Sequence, residues 1–515
     1  MVVEAGDRRR AGSDPARVRG RRGASAGTGD RTAAVSEGAP QSLRSGALGL
    51  WGVVFLVVGS AAPLTSMMGA VPPPLSIGNG IGAPGAWVLT GLVLTLFAVG
   101  YATMSRFVTN AGAFYAYIAR GLGRPAGLGG ALVAVLSYNT IQCALWGLFG
   151  FFSVNILNPK LGVDVAWYWW SFVLMAITAV LGYFGIEISA RVLGVLLILE
   201  VLVLLVLDVA VVFTGGASGL QLNSFNPAEI FSGAPGVTFV FAFATFVGFE
   251  ATAIYGEETR DPKRTVPRAT YVAVAIITVF YALTSWSIVQ AYGEDEAVAA
   301  ATGNPDGLFL DASASYVHPL SASMMEWLIL TSIFAALLAF HNAAARYFYA
   351  MAREGLLPRR IARTHPRYGS PYLAGLLQAE VAFVITLVFV LAGLDPYAGL
   401  FAWLSGIAAL GIIGLQCLTS LSVIAFFRRT GLDARPWHTK VAPGLGALGL
   451  AAAMVFVVVN WDALTGASTG LVGSLWAAVP IFFVCGVVWA AAIRRRDAAA
   501  YERLGHFIDE SPDAA

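Results

Sequence analysis

The sequence predicts an all-α membrane protein of twelve transmembrane helices, two of them interrupted. Three observations predict it. Hydrophobic residues make up 57% of the 515 and charged residues only 12%, against roughly 25% charged in an ordinary globular chain. Twelve apolar runs approach the ~20 residues that cross a ~30 Å hydrocarbon core. The basic residues fall almost entirely into alternate connections between those runs. These residues could not cover a soluble surface of this size, and disorder, collagen and a disulfide-rich secreted fold are excluded by the same numbers. Cys143, Cys417 and Cys485 all sit in apolar runs, with no disulfide framework or metal-ligand spacing. No metal or cofactor is expected.

The runs fall near 48–71, 86–107, 126–156, 167–184, 190–213, 235–256, 268–291, 321–351, 372–393, 398–427, 442–461 and 470–493. Lipid offers the backbone no hydrogen-bond partners, so each run must satisfy its own as a helix. None shows the alternation of a barrel strand.

Lys and Arg set the orientation. Nine arginines precede the first span. Arg106, Arg120 and Arg124 follow span 2, and Arg191 follows span 4. Arg260, Lys263, Arg264 and Arg268 follow span 6. Arg346, Arg353, Arg359, Arg360, Arg363 and Arg367 lie around the 8–9 connection. Arg428, Arg429, Arg435 and Lys440 follow span 10, and Arg494, Arg495, Arg496 and Arg503 follow span 12. With twelve spans, 31 of the 32 basic residues share one side, and only Lys160 lies opposite. Both termini are then cytoplasmic in a multi-pass protein of the cell membrane. The opposite 7–8 connection is acidic, with Glu294, Asp295, Glu296, Asp306 and Asp311. Residues 1–46 are rich in Arg, Gly, Ser and Ala and read as a disordered cytoplasmic tail. They contain no apolar segment of the kind a removable signal peptide needs. Residues 47–495 form the helical domain and 496–515 a second cytoplasmic tail.

Two spans carry signs of interruption. The first reads GSAAPLTSMMGAVPPPLSIGNGIGAPG. Pro63 cannot donate an amide hydrogen, Gly59 and Gly69 are permissive, and Ser60, Thr65 and Ser66 lie between them. A plain proline kink among small packing residues is the alternative. The sixth reads GVTFVFAFATFVGFEATAIYGEETRDPKRTVPRA, with Gly248 in mid-span and Glu250 just beyond. A mid-membrane glutamate must face protein or water, and Phe243 and Phe246 are placed to cover a small ligand or to face lipid. Matched interruptions in spans 1 and 6 point to two inverted halves of five helices, with binding where free backbone groups meet a cavity at the midplane.

Three stretches then carry a resemblance. GFEATAIYGEETRDPKRTVPRA in span 6, ARYFYAMAREGLLPRRIARTHPRYGSP after span 8 and SRFVTNAGAFYAYIARGLG between spans 2 and 3 resemble the signatures of the amino acid–polyamine–organocation (APC) superfamily of permeases. The resemblance runs from about residue 48 to 495. It implies a 5+5 inverted-repeat fold with broken helices 1 and 6, and secondary active transport of an amino acid or related small amine by alternating access. Span 1 departs from the family in lacking its usual Gly-Ser-Gly-type run. Counting back from Pro72 places Thr65, Ser66 and Met67 in the unwound segment, and an alignment on Pro63 shifts it by a few residues.

Carried over by position, the resemblance puts substrate contacts at Pro63, Thr65, Ser66 and Met67 in span 1. In span 6 they fall at Phe243, Ala244, Thr245, Phe246 and Gly248, and in span 3 at Tyr138, Ile141, Gln142 and Trp146. Ala244 stands where some relatives place a large aromatic gate, which implies a roomier pocket or a gate supplied by Phe246. The physical reading agrees: free amides at a half-helix N-terminus attract a carboxylate, free carbonyls accept from an ammonium group, and aromatic faces attract cations.

Ionisable residues inside the membrane are the candidates for ion coupling: Glu200, Glu250, and His341 with its neighbour Asn342. Glu200 lies nine residues past Arg191, roughly 14 Å along a helix, and so near mid-membrane. The resemblance puts it at or close to the position of a span 5 lysine that replaces sodium in proton-coupled relatives. A carboxylate there reverses the charge and suits a proton, a sodium ion or a substrate amino group. Asp208, eight residues on, reads as a solvated residue of the outer end. His341 reads either as a proton carrier or as a packed hydrogen-bonding residue. The run AALLAFHNAAAR offers Ser332 as its nearest hydroxyl, which favours protons over sodium. The mixed charges of EETRDPKR and AREGLLPRR suit an inner gating network or a solvated loop.

The leading expectation is a proton-coupled secondary transporter of an amino acid or small amine. A polyamine importer and a substrate exchanger are the rivals within the class, and a non-transporting nutrient sensor is the rival outside it. An enzyme is not expected: there is no His-Glu-x-x-His or Gly-x-Ser-x-Gly motif. No P-loop is present for ATP, no feature suggests nucleic acid, and nothing marks a dimer surface.

Overall fold

In the computed structural model, residues 49–108, 114–250, 252, 259–467, 469–497 and 501 are described, without the side chains of Leu56, Ser60 and residues 186–193. The N-terminal tail and all but a few residues of the C-terminal tail lie outside that set. So do residues 109–113 of the 2–3 signature, residues 251 and 253–258 of the sixth-span signature, and the Ser60 and Arg191 side chains.

The described residues are helical and contain no β-strand. The first span divides into α1 (Leu50–Ala61) and α2 (Pro63–Ala70). Then come α3 (Ala83–Met104), the short α4 (Phe114–Leu122), α5 (Arg124–Leu161), α6 (Trp167–Phe184) and α7 (Ile186–Thr214). The second part runs through α8 (Pro235–Phe246), α9 (Pro262–Tyr292), α10 (Pro319–Arg353), α11 (Tyr372–Leu391), α12 (Pro396–Thr430), α13 (Ala442–Val459) and α14 (Ala478–Arg496). Eleven of these described helices, counting α1 and α2 as one span, are long and apolar enough to cross a bilayer. The expected sixth span is represented by α8 alone, which at 12 residues is too short to cross.

A recurrent device starts these helices. Proline stands in the first turn of α2, α3, α5, α8, α9, α10, α12 and α13. There its missing N–H costs nothing and its fixed φ suits the helix. The 2–3 connection is more than a basic loop. It holds the amphipathic α4, whose Phe114, Tyr115, Tyr117 and Ile118 are buried.

The core gathers along α5 and α10, which are buried for most of their length. Helices α6, α11 and α14 instead turn apolar side chains outward, with Val173, Val180, Val388 and Val488 all more than half exposed. An apolar belt of this extent suits hydrocarbon rather than water. Gly129 and Gly486 let α5 and α14 meet backbone to backbone, because a Cβ on Gly486 would collide with Gly129.

Candidate functional site

The first span breaks one residue before Pro63. Ala62 has φ 42° and ψ 76° and is the sole non-glycine residue with positive φ among those described. That conformation is uncommon for a residue with a Cβ and marks stored strain. The following proline then starts α2 at a fixed φ. The break therefore lies upstream of Thr65, Ser66 and Met67, the stretch expected to unwind; all three are helical, in the first turns of α2. The displaced backbone groups find new partners. The carbonyl of Ala61 accepts from the Tyr281 hydroxyl at 2.7 Å and from the Ser66 hydroxyl at 2.5 Å.

In the expected sixth span, too, the described helix stops early. Helix α8 ends at Phe246, and residues 247–250 form a turn in which Gly248 adopts φ 114°. A side chain is disfavoured there, which is why glycine stands at this point.

Beside the first break, and against the last turn of α8, lies a central cavity of about 50 Å³. Ala62, Thr65 and Ser66 of the first span meet Ile141 of α5 and Ala244 and Thr245 of α8 across it. Phe241, Leu145, Phe340 and Phe401 supply apolar walls, and Ser405 adds a hydroxyl. No charged side chain lines it. Phe241 stands one helical turn before Ala244, and Leu145 one turn after Ile141, so helix spacing alone could have suggested both. Phe340, Phe401 and Ser405 come from α10 and α12 and carry no local signal.

The other expected contact residues sit around this cavity rather than in its lining. Pro63 and Met67 are buried in α2. Tyr138 turns to Glu250, donating to its Oε1 at 2.7 Å. Gln142 accepts from the Gln378 side chain of α11. Trp146 is fully buried, and its carbonyl accepts from the Ser171 hydroxyl. Phe243 is buried in α8, and Phe246 packs against Tyr281 with ring centroids 6.4 Å apart. The Gly248 amide donates to Glu250 Oε2 at 3.1 Å.

Glu200 is fully buried beside the first break. The Ser332 hydroxyl of α10 donates to its Oε2 at 2.6 Å. Ser332 in turn accepts from the Thr65 amide at 3.1 Å and from the Thr65 hydroxyl at 2.9 Å. One serine thus joins α2, α7 and α10. The sequence offered Ser332 only as a nearby hydroxyl; its contact with the carboxyl is a product of packing. Glu200 Oε1 has no hydrogen-bond partner, and no ion pair to Glu200 exists among the described residues.

Glu250 forms a second buried cluster, tied to Tyr138, to the Gly248 amide and, through its own carbonyl, to the Tyr101 hydroxyl at 2.8 Å. His341 is buried against Gly182 of α6 and Gly375 of α11, apart from both carboxyl clusters, and the Asn342 carbonyl accepts from Arg346. Asp208 corrects an expectation. It is 1% exposed rather than solvated, and accepts from the Thr284 hydroxyl at 2.7 Å. Helix α9 covers the face of α7 on which it stands.

Lys160, the lone basic residue expected on the opposite side, pairs with Glu326 at 2.7 Å. In the 6–7 connection Arg264 lies 3.8 Å from Asp261.

Comparison with known proteins matches this chain to relatives along most of its length. An uncharacterized transporter of Mycobacterium tuberculosis (strain ATCC 25618 / H37Rv) is 29% identical over 65% of this chain and 69% of its own. The branched-chain amino acid permease BcaP of Lactococcus lactis is 25% identical over 77% of this chain and 86% of its own. The lysine-specific permease LysP of the same organism is 26% identical over 53% and 52%. The family model described as amino acid permease matches residues 52–499, and the chain belongs to that family, within the APC superfamily.

Proposed function

We propose that this protein is a secondary active transporter that carries an amino acid with an uncharged, apolar side chain across the cytoplasmic membrane by alternating access, coupled to protons. The observation that carries the substrate class is the lining of the central cavity. Its walls are Ile141, Leu145, Phe241, Ala244, Phe340 and Phe401, and no charged side chain reaches it. An apolar wall rewards an apolar side chain. A polyamine or a lysine side chain would leave a cation without a counter-charge, at a cost of several kcal/mol. The α-amino and carboxyl groups meet the polar edges of Thr65 and Ser66 and the Ser405 hydroxyl, which has no partner of its own. The branched-chain specificity that BcaP is named for agrees with this reading better than the lysine specificity of LysP.

Glu200 is the proposed coupling residue. It is buried, bound through Ser332 to the start of α2, and has one oxygen free to take a proton. Proton transfer at this point acts on the hydrogen bonds that hold α2 against α10, which is how coupling would reach the cavity. In this reading the chain has twelve spans in a 5+5 inverted repeat with both termini cytoplasmic. Residues 235–256 form the broken sixth span, residues 47–495 the transport domain, and residues 1–46 and 496–515 the cytoplasmic tails.

Uptake into proteoliposomes tests this. Leucine, isoleucine, valine, lysine and putrescine are compared with and without an inward proton gradient, for the wild type and Glu200→Gln. Gradient-driven uptake of the branched-chain amino acids, lost in the variant, is expected. Uptake indifferent to the gradient but dependent on internal substrate would make the protein an exchanger. Binding without uptake would make it a sensor.

A further inference from the structure

A second cavity lies at the end of the bundle that carries the basic connections. It has a volume of about 530 Å³ and opens between the end of α3 and the start of α9. Arg106, Lys263, Arg264 and Arg268 line it. Arg264 has Asp261 at 3.8 Å, whereas Arg106, Lys263 and Arg268 make no ion pair among the described residues. Like charges around one cavity repel unless an anion sits among them.

The positive-inside rule explains basic residues in this connection, but it does not explain why those from two separate segments enclose one space. The rest of the lining shows what the space faces. Phe107, Pro267 and Tyr271 complete it, and Phe107 and Tyr271 are 44% and 36% exposed. Tyr271 stands nine residues into α9, roughly 13 Å along its axis. The cavity therefore runs from the basic connection to the level where the spans become apolar. Trp437, at the start of the next-to-last span, is 47% exposed, and Arg435 just before it lies close enough to act electrostatically on Tyr271. Exposed aromatics beside clustered bases mark the headgroup level of a bilayer.

We propose that this cavity binds the phosphate of an anionic phospholipid headgroup, with Arg106, Lys263 and Arg268 as its cationic contacts and Phe107 and Tyr271 against the upper part of the lipid. Arginine forks suit a phosphate through paired hydrogen bonds, and lysine adds a point charge. The site does not depend on which substrate the protein carries. By clamping the end of α3 to the start of α9, a bound lipid would hold the entry to the 6–7 connection.

The test uses the full-length protein in phosphatidylcholine bilayers doped with spin-labelled phosphatidylglycerol. The association of the labelled lipid relative to phosphatidylcholine is read by electron paramagnetic resonance. The R106Q/K263Q/R268Q variant is expected to lose roughly fivefold in relative association per charge removed, the equivalent of about 1 kcal/mol per basic residue near the surface. R494Q/R495Q/R496Q, with the same charge change at the end of α14, is expected to keep most of the preference. A second arm measures thermal stability in detergent with inorganic phosphate alone. A phosphate effect that the first variant abolishes, without any preference for phosphatidylglycerol, would keep the phosphate site but overturn the lipid as its source. Equal losses in both variants, or no loss in either, would overturn the proposal altogether. If the triple variant does not fold, R106Q and R268Q singly carry the test, each with an expected loss of about fivefold.

Discussion

Ser332 donates to Glu200 at 2.6 Å and accepts from the Thr65 amide at 3.1 Å, so one hydroxyl links a buried carboxyl to the first residues after a helix break. Three groups depend on that oxygen, and each loses a partner if it is removed. Ser332→Ala is expected to destabilise the protein by about 1–3 kcal/mol, the usual cost of orphaning buried polar groups. It should also lower gradient-driven uptake at least tenfold. Denaturation in detergent and proteoliposome uptake read the two effects separately. A variant with wild-type stability and uptake would mean that the contact is incidental.

Tyr138 and Glu250 tie α5 to the turn in span 6 through a bond of 2.7 Å. A hydrogen bond to a charged group contributes about 1.5–3 kcal/mol. Tyr138→Phe and Glu250→Gln should each destabilise the protein, and the double variant should fall short of their sum by at least ~0.5 kcal/mol. Strict additivity would show that the two residues act independently.

The central cavity holds about 50 Å³, so a small increase in side-chain volume fills it. Ala244→Phe is expected to abolish uptake while the protein stays folded. Phe241→Ala should shift preference toward larger apolar substrates. Competition among valine, leucine and phenylalanine for uptake measures that shift, and an unchanged order of preference would place the substrate elsewhere.

Asp433 and Arg435 form a local pair in the connection before α13, at 2.5 Å. The guanidinium holds the Asp433 carboxyl down at about 2, below its usual 3.8. A lowered folded value means that the stabilisation is complete above pH ~4 and is lost as pH falls through about 2. The Arg435 side chain is half exposed and the pair spans two residues, so Asp433→Asn should cost about 1 kcal/mol or less at neutral pH. Melting of wild type and variant between pH 2 and 6 should show a small gap that closes at the acid end.

Much of the fold was legible because lipid restricts what a chain can do. Apolar runs must become helices, and eleven did so close to the expected limits. The first break was legible in kind from Pro63 but not in register. The unwound point fell on Ala62, where strain and the fixed φ of the next residue meet. Thr65, Ser66, Ile141, Ala244 and Thr245 line the cavity, and the sequence had singled out all five.

By itself the sequence determined the apolar helices, the family and two of the buried carboxyls, Glu200 and Glu250, because a charge in the middle of an apolar run stands out wherever the run folds. Tertiary structure decided who meets whom. Ser332 lies 132 residues from Glu200 and 267 from Thr65, and a serine in a membrane helix is too common to announce such a contact. Asp208 became buried because α9 brings Thr284 against it. His341 faces α6 and α11 because the rotation of α10 points it there. Local pattern fixes which residues are helical and apolar, while partners depend on the packing of helices distant in sequence, which no short window contains.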